Sequence, residues 1–573
     1  MTEGTREIAE RLTALSDDDL ARLLAARGVS PAVGWQDFFD AAEALTAEPA
    51  LTRALAALPA ADLRALADSA PLPLDAPAVQ LLLTDAAGRT LPAVARALAP
   101  FALGDAADTG GRDDGPAADT VPPADAAAQA HAAERAFTSL DMLGDLLLMS
   151  LHTPLAILGS GALSAADRRR LTEETPRPDA LDALVELAVA AGLLAREERM
   201  LLPTPAGESW LREPTPVRWS RVAQGLLAEL PPALVAQRAG GGWMPPARWA
   251  DAYPADPDWP ARAAELHARA LTWGVLTEED TEPGWSRALR AGDTETVAAE
   301  LSAALPHEVD RIYLQNDLTA ISPGPLASAL DVRLRGIARR ESHAQASTYR
   351  FTAETIAAAL AEGQTQESIL ALLAELSLTG VPQPLEYLVR TSAQRHGSIR
   401  VGSDDDGRTT ITADATILDT LAVDQSLRPL GLVRSTADTL SSRVSRDAVL
   451  WSLVDARYPA IAVSPNGTIE PLRRHRLAAP APADAAAAYT DLIDRLRAAD
   501  ADDADAAWLE RRLDASVRSR AVIEVDVELP GGELRTFVLE VSGLGGGRLR
   551  GRERGTEVER TLPVSSIRAV RDI

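Results

Sequence analysis

The chain has no lysine and no cysteine in its 573 residues, so all 57 basic residues are arginine. Without lysine there is no ε-ammonium to meet the β/γ-phosphates in a P-loop, and none to form a Schiff base. Without cysteine, thiolate metal sites, thiol nucleophiles and disulfides are all excluded. Nothing here calls for an oxidising compartment. Aromatic residues are scarce at 4%, and no apolar run approaches the roughly 20 residues that span a bilayer. Met1 to Glu10 carries acidic residues and lacks the apolar stretch of a signal peptide, so a cytoplasmic location is the expectation. No Gly-x-Ser-x-Gly elbow occurs, and His307-Glu308 is not followed by the second histidine of a metalloprotease helix. The seven histidines, from His131 to His475, are scattered singly. No catalytic, cofactor-binding or metal-ligating residue is therefore assigned, and the chain is expected not to be an enzyme. A carboxylate pair built by the fold stays open, because 83 acidic residues make any chosen pair uninformative.

What is present is acid, alanine and leucine. The net charge is −26, and 46% of residues are hydrophobic. Alanine and leucine lose little entropy in a helix, which points to an α+β, predominantly helical, multi-domain chain. The acidity works against non-specific nucleic-acid binding but does not exclude a local basic face.

Residues 1–103 read as helical hairpins. Leu12, Leu15, Leu20, Leu23 and Leu24 recur at helical spacing, with Ser16 and Asp19 placed as a cap. Ala57-Leu58-x-x-x-Asp62-Leu63-x-x-Leu66 echoes Ala14-Leu15-x-x-x-Asp19-Leu20-x-x-Leu23. Residues 104–133 hold almost no large apolar side chain and read as a flexible linker. Over 134–215 the order is a short strand at Ala156 to Leu158, a helix capped by Ser164, a helix from Asp179 to Ala191, and a hairpin through Leu194 and Met200. That is the order of a winged helix. Asp179, Asp182 and Glu186 on its second helix would repel phosphates, which favours protein contact over DNA reading. Residues 216–308 form a tryptophan-rich helical stretch. Trp210, Trp219, Trp243, Trp249, Trp259, Trp273 and Trp285 are expected as packing anchors rather than base-stacking platforms, since no run of arginines accompanies them.

Residues 309–475 carry the most specific pattern. It reads as a strand around Arg311 to Gln315, a Pro323-Gly324-Pro325 turn, a helix from Leu326 to Arg340, and a strand at Thr348 to Phe351. Helices opening at Thr352, at Thr365 and after Pro382 follow. The motifs Tyr313-Leu314-Gln315-Asn316-Asp317-Leu318-Thr319, Ser322-Pro323-Gly324-Pro325-Leu326, Tyr349-Arg350-Phe351-Thr352 and Pro382-Gln383-Pro384-Leu385-Glu386-Tyr387-Leu388 resemble the N-terminal domain of XPB-type helicases. They are closer still to the motor-less actinobacterial proteins called helicase-associated. Asn316 departs from the proline that precedes the aspartate in that motif. The resemblance implies an α/β domain that lies outside the ATPase lobes and docks partner subunits of repair or transcription machinery.

Residues 476–515 read as a linker and a helix, and 516–573 as a small β-barrel. Ile523, Val525, Val527 and Leu529 alternate with acidic residues, Pro530-Gly531-Gly532 turns the chain, and Phe537, Leu539 and Val541 return. A flexible bend at Gly543 to Gly547 precedes Arg548, Arg550 and Arg552. This tail is similar to that of WYL-domain regulators. The candidate contact residues are two arginine rows: Arg333, Arg335, Arg339 and Arg340, read on one helix, and Arg548, Arg550 and Arg552, on one side of a strand. Such rows either clamp phosphates or pair with carboxylates at an acidic surface. The function expected is a non-catalytic, helicase-associated scaffold with a protein partner, with nucleic acid as a further contact, no membrane and no cofactor. The alternative is a DNA-binding regulator using the winged helix and the arginine strand.

Overall fold

The computed structural model describes residues 3–68, 70–101, 120–235, 242–342, 346–404, 407–464, 476–479, 486–500, 516–529, 533–556 and 558–572, with isolated positions 466, 468, 470, 509, 513 and 514. The expected Pro530-Gly531-Gly532 turn and most of the expected linker lie outside these residues. The chain forms two compact units. One comprises Met1–Gly115, Ala247–Ala263 and Ala481–Ile573, and the other Pro116–Pro246 and Ala264–Pro480.

In the first unit, helices Glu3–Ala14, Asp17–Ala26, Phe38–Thr46, Glu48–Ala56, Ala60–Ala67 and Pro92–Leu98 enclose one core. Ser16 caps the second helix by accepting from the Asp19 amide at 3.1 Å. The echoed motifs open helices in the same register, with Asp19 and Asp62 each at the third helical position, although Pro59 replaces the Ser16 cap. The helix Thr490–Asp500 was expected beside a linker. Its Leu492, Ile493 and Leu496 instead lie in the same core as Leu12, Leu20 and Leu24. Arg497 closes the junction by donating to the carbonyls of Thr13 and Leu15, which the end of the first helix leaves open. Trp259 donates its indole N–H to the Trp249 carbonyl at 2.6 Å, and both rings are buried.

The C-terminal strands Val522–Glu528, Leu534–Gly545, Arg548–Glu553, Glu559–Pro563 and Ile567–Asp572 form one antiparallel sheet, in which the fifth strand pairs with the first. Ile523, Val525, Val527, Phe537, Leu539 and Val541 are buried on its inner face. The fourth and fifth strands are joined by the turn Val564–Ser566 yet share no ladder. The expected barrel is therefore not closed; it is an open sheet. The glycine run is also not a free bend. Gly543 and Gly545 continue the second strand past a bulge, and the turn is confined to Gly546 and Gly547, both at positive φ.

The second unit begins with the helix Ala126–His152, capped by Asp125, which accepts from the Ala128 amide at 2.8 Å. The linker was expected to reach residue 133, but Ala128, Ala132 and Ala133 are buried helical residues. Alanine-rich sequence reads as weakly apolar, yet a helix face of small residues packs closely. Strand Leu155–Ala156, helices Ala165–Glu174 and Leu181–Ala190, and the hairpin Leu194–Glu197 with Met200–Pro203 follow, the last strand lying between the other two. Trp219 and Trp273 each donate an indole N–H to the other's carbonyl, at 2.8 and 3.0 Å. Trp210, Trp243 and Trp285 are likewise buried and hydrogen-bonded.

From residue 312 two further cores follow. The first holds a four-stranded antiparallel sheet, ordered Tyr313–Leu314, Thr319–Ser322, Ser347–Arg350, Arg339–Arg340. Helices Ser328–Arg335, Ala353–Ala361, Gln366–Leu376 and Gln383–Arg395 pack with it around Tyr349, Phe351, Ile369 and Leu385. Thr352 and Thr365 each start a helix with a reciprocal capping box. The helix expected to run to Arg340 stops at Arg335. Gly336 caps it, and the chain turns so that Arg339 and Arg340 pair with Arg350 and Tyr349. The next core holds a five-stranded sheet with the parallel pair Ile399–Ser403 and Ala460–Ala462 at one side. Among the described residues no helix is long and apolar enough to cross a membrane.

Candidate functional site

The site grows from one helix. Asp141 and Asp145 stand one turn apart on Ala126–His152, between the buried side chains of Leu140, Met142, Leu143, Leu146 and Leu147. Carboxylates in so apolar a face need partners, because burial penalises an unpaired charge heavily. The partners come from the segment around 335–340. Arg340 grips Asp141 bidentately at 2.6 and 2.8 Å, and its Nε donates to the Ser342 carbonyl at 3.2 Å. Arg335 reaches Asp145 at 2.5 Å and Asp331 at 3.6 Å. Tyr349 donates its hydroxyl to Asp331 at 2.6 Å.

A third arginine completes the cluster. Arg218, on helix Thr215–Glu229, donates to Ser328 Oγ at 3.0 Å and to the Leu140 carbonyl at 3.3 Å. Its guanidinium lies 4.1 Å from the centroid of the Trp210 ring. It passes beside Gly144, where a Cβ would stand 2.9 Å from Arg218 Nη2. The glycine between the two aspartates is thus the residue that admits the arginine.

The electrostatics follow from burial. Arg218 is pushed down to about 10 by burial, against the pull of Asp331, Asp141, Glu308 and Asp145. Burial also pulls Arg335 and Arg340 down, but their carboxylates outweigh it and hold both above the ordinary arginine value. Burial, and then Asp331, raises the Tyr349 phenol.

A cleft of about 740 Å³ opens beside this cluster. Arg333, Arg335, Arg339 and Arg340 all border it, facing Met142, Leu146 and Met149 of the long helix and Leu171, Leu181 and Leu184 of the two helices that follow. The first arginine row therefore converges on one place, but not as one helical face. Arg333 pairs with Glu375 at 3.2 Å, Arg335 and Arg340 are turned inward, and Arg339 alone of the four is exposed without an ion pair among the described residues. Asp141, Asp145 and Arg218 were missed from sequence. Two aspartates spaced i, i+4 inside a leucine-rich helix were the available signal.

The second row does lie on one side of its strand. Arg548, Arg550 and Arg552 are exposed and alternate with buried Leu549 and Gly551. Arg552 stands between Glu540 and Glu559 on the neighbouring strands. Arg548 has Gly545 and Pro563 opposite, and Arg550 has Gly543 and Thr561, so neither meets a carboxylate in register. Among the described residues no group of three or more His, Asp or Glu side chains is placed to hold a metal ion.

Residues 312–436 match a family described as the helicase conserved C-terminal domain. The match spans the first antiparallel sheet and runs into the next core. It makes this segment helicase-related, over a minority of the chain. No curated protein matches the chain.

Proposed function

We propose that the protein is a non-catalytic, helicase-associated scaffold that docks nucleic-acid-processing machinery through protein contacts. The observation that carries this reading is the inward turn of Arg340 in the helicase-related segment. Arg340 spends Nη1 and Nη2 on Asp141 and Nε on the Ser342 carbonyl, whereas arginines that serve phosphoryl transfer must reach a phosphate. Two features support it. The sheet formed by residues 313–350 is antiparallel throughout, unlike the strand–loop–helix that cradles nucleotide phosphates. The same segment also turns apolar side chains outward: Tyr313 is 44% exposed, Leu378 51% and Tyr387 69%. Tyr313 and Leu378 follow the bridged pair Ile312 and Ser377, with the Leu378 amide donating to the Ile312 carbonyl at 2.9 Å, so they form one patch. An exposed aromatic is a strong anchor for a partner.

The XPB-type, N-terminal-like character of residues 309–475 and the winged-helix reading of 134–215 belong to this proposal. The second is supported by the strand–helix–helix–hairpin order and by the central position of Met200–Pro203. The test is affinity capture with the wild-type chain and with Tyr387→Asp and Tyr313→Asp. Wild type is expected to enrich helicase, nuclease or transcription proteins, and the variants to lose them. Wild-type capture that enriches none of these contradicts the reading.

A second reading, a DNA-binding regulator, is favoured by one observation: Arg548 and Arg550 are exposed with no carboxylate opposite. It predicts duplex binding that weakens steeply with salt and disappears in Arg548→Ala/Arg550→Ala. Absence of binding even at low salt removes it.

A further inference from the structure

We infer that the cleft between the helix Ala126–His152 and residues 332–341 is a binding site for a small organic anion with an apolar body. The inference does not rest on the docking reading, because it concerns a concave, half-enclosed space rather than the exposed aromatic patch. The cleft volume of about 740 Å³ falls among those of small-molecule sites, roughly 300–1,000 Å³. Arginines and apolar side chains line most of it, and Glu173, Glu341 and Glu362 also border it, so an anion must be held on the arginine side. Leu148 and Met149, both half-buried, present apolar surface, with the buried Met142, Leu146 and Leu184 also at its border, and methionine adapts its shape to what it meets. Facing them, Arg335 and Arg339 hold guanidinium donors that the protein does not use.

Arg335 spends Nη1 on Asp145 and Asp331, and its Nε and Nη2 have no acceptor among the described residues. Arg339 is exposed, has no ion pair, and stands directly across the ladder from Arg350, a second cation. Like charges opposite one another on a sheet are destabilising. Glu341 relieves Arg350, at 2.6 Å from its Nε, and leaves Arg339 unrelieved. An anion at the arginine wall would relieve it and take up the spare donors of Arg335, while its apolar part covered Leu148 and Met149. The head group is a carboxylate or a phosphate monoester, both of which a guanidinium fork recognises.

The experiment is isothermal titration calorimetry of the full chain with decanoate and, separately, with octyl phosphate. Acetate and decanol serve as head-only and tail-only probes. Saturable binding of one equivalent is expected for at least one of the two amphiphiles, with the tighter one identifying the head group. Arg339→Ala should weaken it about tenfold, as loss of a charge-assisted hydrogen bond does. Met149→Trp, which fills the cleft from a half-buried position, should abolish it, and Arg548→Ala should leave it unchanged. Thermal unfolding of Arg339→Ala, an exposed position, reports that the fold is kept. No saturable binding of either amphiphile, or binding unchanged in both Arg339→Ala and Met149→Trp, overturns the inference.

Discussion

Arg340 and Asp141, 199 residues apart in the chain, meet through two guanidinium–carboxylate bonds of 2.6 and 2.8 Å. The pair ties the helicase-related segment to the long helix that precedes it. Arg340 is nearly buried, with 8% of its side chain exposed against 31% for Asp141. Removing one partner strands the other, so Asp141→Ala or Arg340→Ala should each cost about 2–3 kcal/mol, reduced by the remaining solvent access of Asp141. The double replacement Asp141→Ala/Arg340→Ala should cost clearly less than the sum of the two. Urea unfolding of the four proteins measures it, and two single losses that simply add would show that the pair is not coupled.

Gly144→Ala reverses a familiar expectation. Alanine in place of a mid-helix glycine ordinarily adds about 0.5–1 kcal/mol. Here the new methyl would crowd Arg218 Nη2, whose guanidinium is held over Trp210 and against Ser328. A loss of about 1 kcal/mol is expected instead, as for other overpacked sites. A rise in the thermal midpoint would contradict it.

The Tyr349 phenol is raised by burial and by Asp331. A group protonated more tightly in the fold than in the unfolded chain contributes stability that is complete below its unfolded pKa and is lost above it. The stability difference between wild type and Tyr349→Phe should thus be constant below about pH 10, the ordinary tyrosine value, and shrink as pH rises further. Chemical unfolding at stepped alkaline pH tests this, and a difference that grows with pH would have the wrong sign.

The fold was legible wherever local chemistry decides it. Ser164, Thr352 and Thr365 cap helices as their sequences predict, and the seven tryptophans from Trp210 to Trp285 are buried as packing anchors. It was not legible where distant residues decide. Residues 336–340 have helical spacing, but Gly336 stops the helix, and the ladder to Arg350 and Tyr349 carries Arg340 toward Asp141. No local pattern announces a partner 199 positions away. The same holds for the helix Thr490–Asp500, whose apolar stripe completes a core built by residues near the other end of the chain.

That completion is itself testable. Leu492→Ala and Leu496→Ala each open a cavity in the core shared with Leu12 and Leu24, at a cost of about 2–5 kcal/mol. Hydrogen exchange should rise in helices Glu3–Ala14 and Asp17–Ala26. Exchange confined to residues 486–500 would show that the first helices do not depend on the last.

The proposal is that this chain, with its helicase-related segment 312–436, works by docking and not by nucleotide chemistry. Steady-state ATP turnover by the purified full chain, with and without single- and double-stranded DNA, tests it most directly. A rate equal to the protein-free blank is expected in every condition. Turnover that scales with protein concentration and is stimulated by DNA would contradict it.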